Sequence, residues 1–120
     1  MTRVGNNIKI VGPASRRALW RAVFGEVLGG AHQPAGPAFD VYRLDPDGST
    51  VGLEFVEHPL RSDAEIQRDG VWLEFVVEDP AATTAELVDM GLRQLDHAVG
   101  GHAYLQLPGG PVFRLVGVKA

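Results

Sequence analysis

At 120 residues, with 45% apolar and 22% charged side chains, the chain has the balance of a soluble globular protein long enough to bury a core. A formal net charge of −4 with no Lys/Arg stripe argues against nucleic acid as a partner, because phosphate recognition needs concentrated positive charge. The absence of Cys excludes a disulfide framework, a thiolate metal site and a Cys nucleophile, which suits a cytoplasmic protein.

The opening "MTRVGNNIKIVG" has no apolar run long enough for a signal peptide or a membrane span, so no membrane partner is expected. Within it, "NNIKIVG" alternates Ile8 and Ile10 with polar neighbours, which predicts a strand. The period then changes. In "PASRRALWRAVFGEVLGG" Leu19, Ala22, Val23 and Val27 fall at helical spacing, with Ser15 as N-cap and Gly29–Gly30 as the stop. Trp20 and Phe24, four apart, read as packing or a subunit contact. A loop rich in Ala, Gly and Pro follows and contains His32. Next come the strands "AFDVYRL" and "TVGLEFVE", joined by the Asp-Gly turn "DPDGS".

The second half repeats the plan. "VWLEFVV" is a strand, and "EDPAATTAELVDMG" is a helix capped near Asp79, with Pro80 in its first turn and Gly91 at its end. "LRQLDHA", "HAYLQL" and "PVFRLVGV" are strands, with "PGGP" as a turn. Overlaying the two halves matches strand, turn and strand. The expected architecture is α+β, two βαβββ modules at about 5–57 and 70–118 within a single domain 1–120. The polar segment 58–69 reads as a solvated linker between them.

Alternation assigns faces on each strand. Val51, Leu53 and Phe55 oppose Gly52, Glu54 and Val56. Leu73 and Phe75 oppose Trp72, Glu74 and Val76. Ala103, Leu105 and Leu107 oppose His102, Tyr104 and Gln106, and Phe113 and Leu115 oppose Arg114. One face is apolar and suited to covering helices. The other is mixed, and the overlay adds Phe39 and Arg43 to it.

This order, with "AVFGEVLGG" closing the first helix, "LEFVVEDPAATTAELVDMG" opening the second half and "HAYLQLPGGPVFRLV" at the end, resembles the vicinal oxygen chelate superfamily of glyoxalases, bleomycin-resistance proteins and extradiol dioxygenases. The resemblance spans nearly the whole chain. It implies a cupped mixed sheet with helices on the convex face, a homodimer, and a ligand cavity on the concave face.

Metal-dependent members place His or Glu at positions that here carry Asn7 or Lys9, Glu54, Trp72 and Arg114. Only Glu54 is a carboxylate, and Arg cannot be deprotonated to ligate a cation, so neither a metal nor another cofactor is expected. Glu54 and Arg114 stand at equivalent positions and are expected to face each other, as an ion pair or as ligand-orienting groups. The four His residues show no i, i+4 pair, and only His102 falls on the mixed face.

The expected function is metal-independent binding of a small organic molecule, aromatic or antibiotic-like, in the manner of the sequestering members. Phe39, Trp72 and Tyr104 would form walls, and Glu54, Glu74, His102 and Arg114 would orient the ligand. The alternatives are a metal-dependent lyase, isomerase or dioxygenase using Glu54, Glu74 and His102, or a structural dimer with no ligand.

Overall fold

The computed structural model describes residues 1–2, 4–44, 48–58, 61–96 and 101–118, which divide into two units, Met1–His58 and Pro59–Ala120. Each unit has its own four-stranded mixed sheet and helical elements, as the repeated plan requires.

In the first unit, the Ile8/Ile10 alternation forms β1 (Asn7–Pro13). The chain then winds through a 3-10 turn (Ala14–Arg16), α1 (Arg17–Arg21) and a π turn (Ala22–Val27). Ser15, expected as the N-cap, instead lies inside the 3-10 turn, which starts directly from extended Pro13 and has no side-chain cap bond. Trp20, Val23 and Phe24 are buried. Trp20 meets Phe55 edge-on with ring centroids 5.6 Å apart, and Phe24 lies 6.1 Å from Tyr42. The i, i+4 aromatic pair is therefore packing. Gly12 is required beneath it, because a Cβ there would overlap the Trp20 indole.

The stretch expected as a loop contains β2 (Ala31–Gly36), every residue of which is exposed. It supplies the strand missing from the first module. Its pairing comes from β3 rather than from an apolar alternation of its own, and a bulge between Pro34 and Gly36 adjusts the register. β3 (Phe39–Leu44) and β4 (Ser49–Val56) pair antiparallel, and β1 runs parallel to β4, giving the order β1-β4-β3-β2. Val51, Leu53 and Phe55 are buried while Gly52, Glu54 and Val56 are half-buried, as alternation predicts. Asp45, Pro46 and Asp47 of the expected turn lie outside the described residues.

In the second unit, the segment read as a linker forms α2 (Asp63–Asp69), opened by a Ser62/Glu65 capping box. Polar composition concealed it, since α2 has no fully buried residue. β5 (Leu73–Val77) follows, then α3 (Pro80–Asp89), whose N-cap Asp79 accepts from the Ala82 N–H. Gly91, at φ +106°, turns the chain out of α3. β6 (Arg93–Leu95), β7 (Ala103–Gln106) and β8 (Val112–Gly117) complete the order β5-β8-β7-β6, with β5 parallel to β8. β6 is shorter than expected, and His97 lies outside the described residues. The fully buried Leu87 of α3, with Leu105, Phe113 and Leu115, belongs to this unit's core. No described helix is long and apolar enough to cross a membrane.

Candidate ligand site

Strand register in the second unit sets Glu74, Arg114 and Tyr104 side by side across β5, β8 and β7. The Arg114 Nε donates to Glu74 Oε2 at 2.6 Å, and its Nη1 donates to the Tyr104 hydroxyl at 3.4 Å. These two acceptors, Tyr104 first and Glu74 second, hold the guanidinium pKa above its ordinary value. The pair is 36% and 44% exposed, and among the described residues the Arg114 Nη2 and Glu74 Oε1 have no partner. Trp72 stands just before β5. Its indole lies 5.6 Å from the Tyr104 ring at 58°, its Nε1–H donates to the Gln67 carbonyl at 3.1 Å, and it stays 36% exposed. Tyr104 is buried with Leu95 and Val112, so it supports the indole from below. Four of the residues inferred from alternation thus come together: Trp72, Glu74, Tyr104 and Arg114.

The other three have their own neighbours. His102 lines a shallow cleft with Pro80, Thr84, Gln94 and Leu115, to which none of those four contributes. Phe39 and Glu54 are register partners in the first unit. There the Lys9 Nζ sits 2.5 Å from Glu54 Oε1 and 5.9 Å from the centre of the Phe39 ring. Glu54 and Arg114, expected to face each other, each have an ion partner within their own unit. Lys9, two residues before the Val11 that stands opposite Glu54, reaches it with a long flexible stem. Glu74 stands directly opposite Arg114.

Sequence reasoning missed the most highly connected polar group. Asp40 on β3 is fully buried, yet its carboxylate accepts from Nε and Nη2 of Arg17 at 3.0 Å and of Arg21 at 2.9 Å. His32 Nε2 stands 2.9 Å from Oδ1, and its ring stacks on Tyr42 at 5.0 Å. Arg17 also donates to the Pro37 carbonyl. The Arg21 guanidinium, followed by Arg17 and His32, holds the Asp40 carboxyl far below the ordinary range despite the opposing cost of burial. An ionised carboxylate only accepts, so the His32 Nε2 carries the proton in this contact. Burial likewise pushes the Tyr42 hydroxyl pKa up. Two signals pointed here: Arg17 and Arg21 are spaced i, i+4, and Asp40 shares the inward parity of Tyr42. Among the described residues, no buried side-chain polar atom lacks a partner. This cluster is a saturated bracket joining α1, β2 and β3.

Two βαβββ units, each a mixed sheet with one parallel pair, define the architecture, and comparison with solved structures identifies it. The fold is one shared with solved glyoxalase and antibiotic-resistance proteins. A glyoxalase/bleomycin resistance protein from Albidiferax ferrireducens superposes with a TM-score of 0.68 at 18% identity, over 96% of this chain and 98% of that one. A genomically encoded fosfomycin resistance protein from Listeria monocytogenes gives 0.68 at 11% identity, over 99% and 96%. The bleomycin-binding protein from Streptomyces verticillus, complexed with copper(II)-bleomycin, gives 0.61 at 13% identity, over 99% of each chain. No protein-family model and no curated protein sequence matches the chain.

Proposed function

We propose that this chain is a metal-independent small-molecule-binding protein whose organic ligand lies on Trp72 and is oriented by Glu74 and Arg114. One observation carries the reading. A half-exposed ion pair with a spare donor and a spare acceptor stands within one strand of an exposed indole on a buried tyrosine. That combination offers a flat apolar wall and a few convergent polar groups, the usual composition of a ligand site. Two proteins of the same fold are named for antibiotics, which favours a sequestering role here.

The residues present do not fit a divalent cation. Such an ion needs three or more N or O donors, whereas Glu54 and Glu74 are each already neutralised by a cationic side chain. Among the described residues, no three His, Cys, Asp or Glu side chains converge to hold a metal. We further propose that the single two-module domain acts as a cytoplasmic homodimer, which would cover the exposed Val11 and Val76 of strands β1 and β5.

Isothermal titration of the wild type and Trp72→Ala with metal-free bleomycin, fosfomycin and a series of simple aromatic acids and amines tests the reading. At least one compound should bind, with affinity unchanged by a chelator. Trp72→Ala should weaken it up to about tenfold, the worth of one aromatic contact. Equal affinity in both proteins removes Trp72 from the site, and binding abolished by the chelator restores a metal. Sedimentation velocity checks the dimer.

A further inference from the structure

The connection to β5 is anchored at both ends. At its start, Ser62 Oγ accepts from the Glu65 N–H at 3.2 Å and Glu65 Oε1 accepts from the Ser62 N–H at 3.0 Å. That backbone donor holds the Glu65 carboxyl below its usual range. Asp63 then reaches across to the β7–β8 hairpin. Its Oδ1 accepts from the Gly109 N–H at 2.8 Å, and its carbonyl accepts from Gln106 Nε2 at 2.8 Å. Gln106 is itself buried and also donates to the Gly110 carbonyl at 3.2 Å, so the anchor is tied into the hairpin. At the far end, the Gln67 carbonyl receives the Trp72 indole N–H, and the Gly70 N–H closes on the Ile66 carbonyl at 2.8 Å. A Cβ on Gly70 would stand 2.6 Å from that same oxygen, so glycine is what permits so tight a path from helix to indole.

A helix of seven residues with no fully buried side chain does not hold its own position. Its two ends must do so. Resting on the reading of Trp72 as the ligand wall, we infer that Asp63 is a positioning residue: through α2 it fixes the indole against Tyr104. The same hairpin carries Tyr104 and Arg114, so a single element aligns both the aromatic wall and the orienting ion pair. Such prior alignment lowers the ordering cost of binding.

The test needs no ligand. The chain has two Trp residues, so its amide spectrum contains two indole N–H cross-peaks, assigned by Trp72→Phe. In Asp63→Ala, the Trp72 indole should exchange with solvent about tenfold faster, as one anchoring hydrogen bond is lost. The Trp20 cross-peak, from the fully buried core of the other unit, should not move. Asp63→Asn keeps an oxygen acceptor for Gly109 and should retain wild-type exchange to within about twofold. If Asp63→Ala does not fold, the wild type itself decides: the Trp72 indole and the Gly109 amide should show matched protection, because one opening frees both. Unchanged Trp72 exchange in a folded Asp63→Ala, or Gly109 protection exceeding that of Trp72 by more than about tenfold, overturns the inference. A ligand panel that gives no heat defeats the site reading and leaves this result standing.

Discussion

The two units carry the same chemistry in opposite states. In the first, Arg17 and Arg21 both fork onto an Asp40 that is fully buried. In the second, Arg114 meets Glu74 through one short bond, with both side chains more than a third exposed. A buried carboxylate bound by five donors has no capacity left for a ligand, and removing any part leaves charges unpaired. A half-exposed pair with spare donors and acceptors loses little when it opens. Hydrogen-bond saturation and burial, rather than the residue types, separate structure from candidate function here.

The largest test of this contrast is Asp40→Ala. It leaves two guanidiniums facing a buried gap and should cost about 3–5 kcal/mol in chemical denaturation. Its pH dependence follows from the depressed folded-state pKa. The contribution of Asp40 is complete above the unfolded-state value of about 3.9 and is lost progressively as pH falls from there toward the folded value. The stability gap between wild type and Asp40→Asn should therefore be level from about pH 7 to 5 and shrink below about pH 4. A gap that stays constant down to strongly acid pH would mean the carboxylate is not held ionised as described. Next in size is Gly12→Ala, which pushes a methyl group into the Trp20 indole and should cost about 1–3 kcal/mol by overpacking. In the second unit, Ser62→Ala removes one half of the α2 capping box and should cost about 1 kcal/mol, read from the same denaturation curves.

Elements with a strong internal period were legible in the sequence. The Ile8/Ile10, Val51/Leu53/Phe55 and Leu105/Leu107 alternations placed β1, β4 and β7, and Asp79–Pro80 with Gly91 bounded α3. Elements held by partners outside themselves were not. β2 is exposed throughout and exists through β3, while α2 is held by the hairpin and by Trp72. The same distinction governs the site. Parity alone assembled Trp72, Glu74, Tyr104 and Arg114, because neighbouring strands in register share a face. Ion partners depend on register and side-chain reach, which one sequence does not reveal. The Lys9 partner of Glu54 and the arginine partners of Asp40 are therefore not readable from parity, although the inward position of Asp40 is.

The smallest expected effect is the most discriminating. Lys9→Met and Arg114→Met each remove the cation from a carboxylate on a partly exposed face, and each should change stability by no more than about 1 kcal/mol. If both pairs were merely solvated surface bridges, the two variants would behave alike in every assay. On the proposed reading they diverge in binding. Among the described residues the Arg114 Nη2 has no partner, and Arg114 bonds the same Tyr104 that packs on the exposed indole, so Arg114→Met should lose measurable affinity in the titration that binds wild type. Lys9 spends its charge on Glu54 and lies over Phe39, both in its own unit, so Lys9→Met should bind as the wild type does. Equal loss in both variants would place the ligand against both pairs. Equal retention would reduce the Arg114–Glu74 pair to surface chemistry.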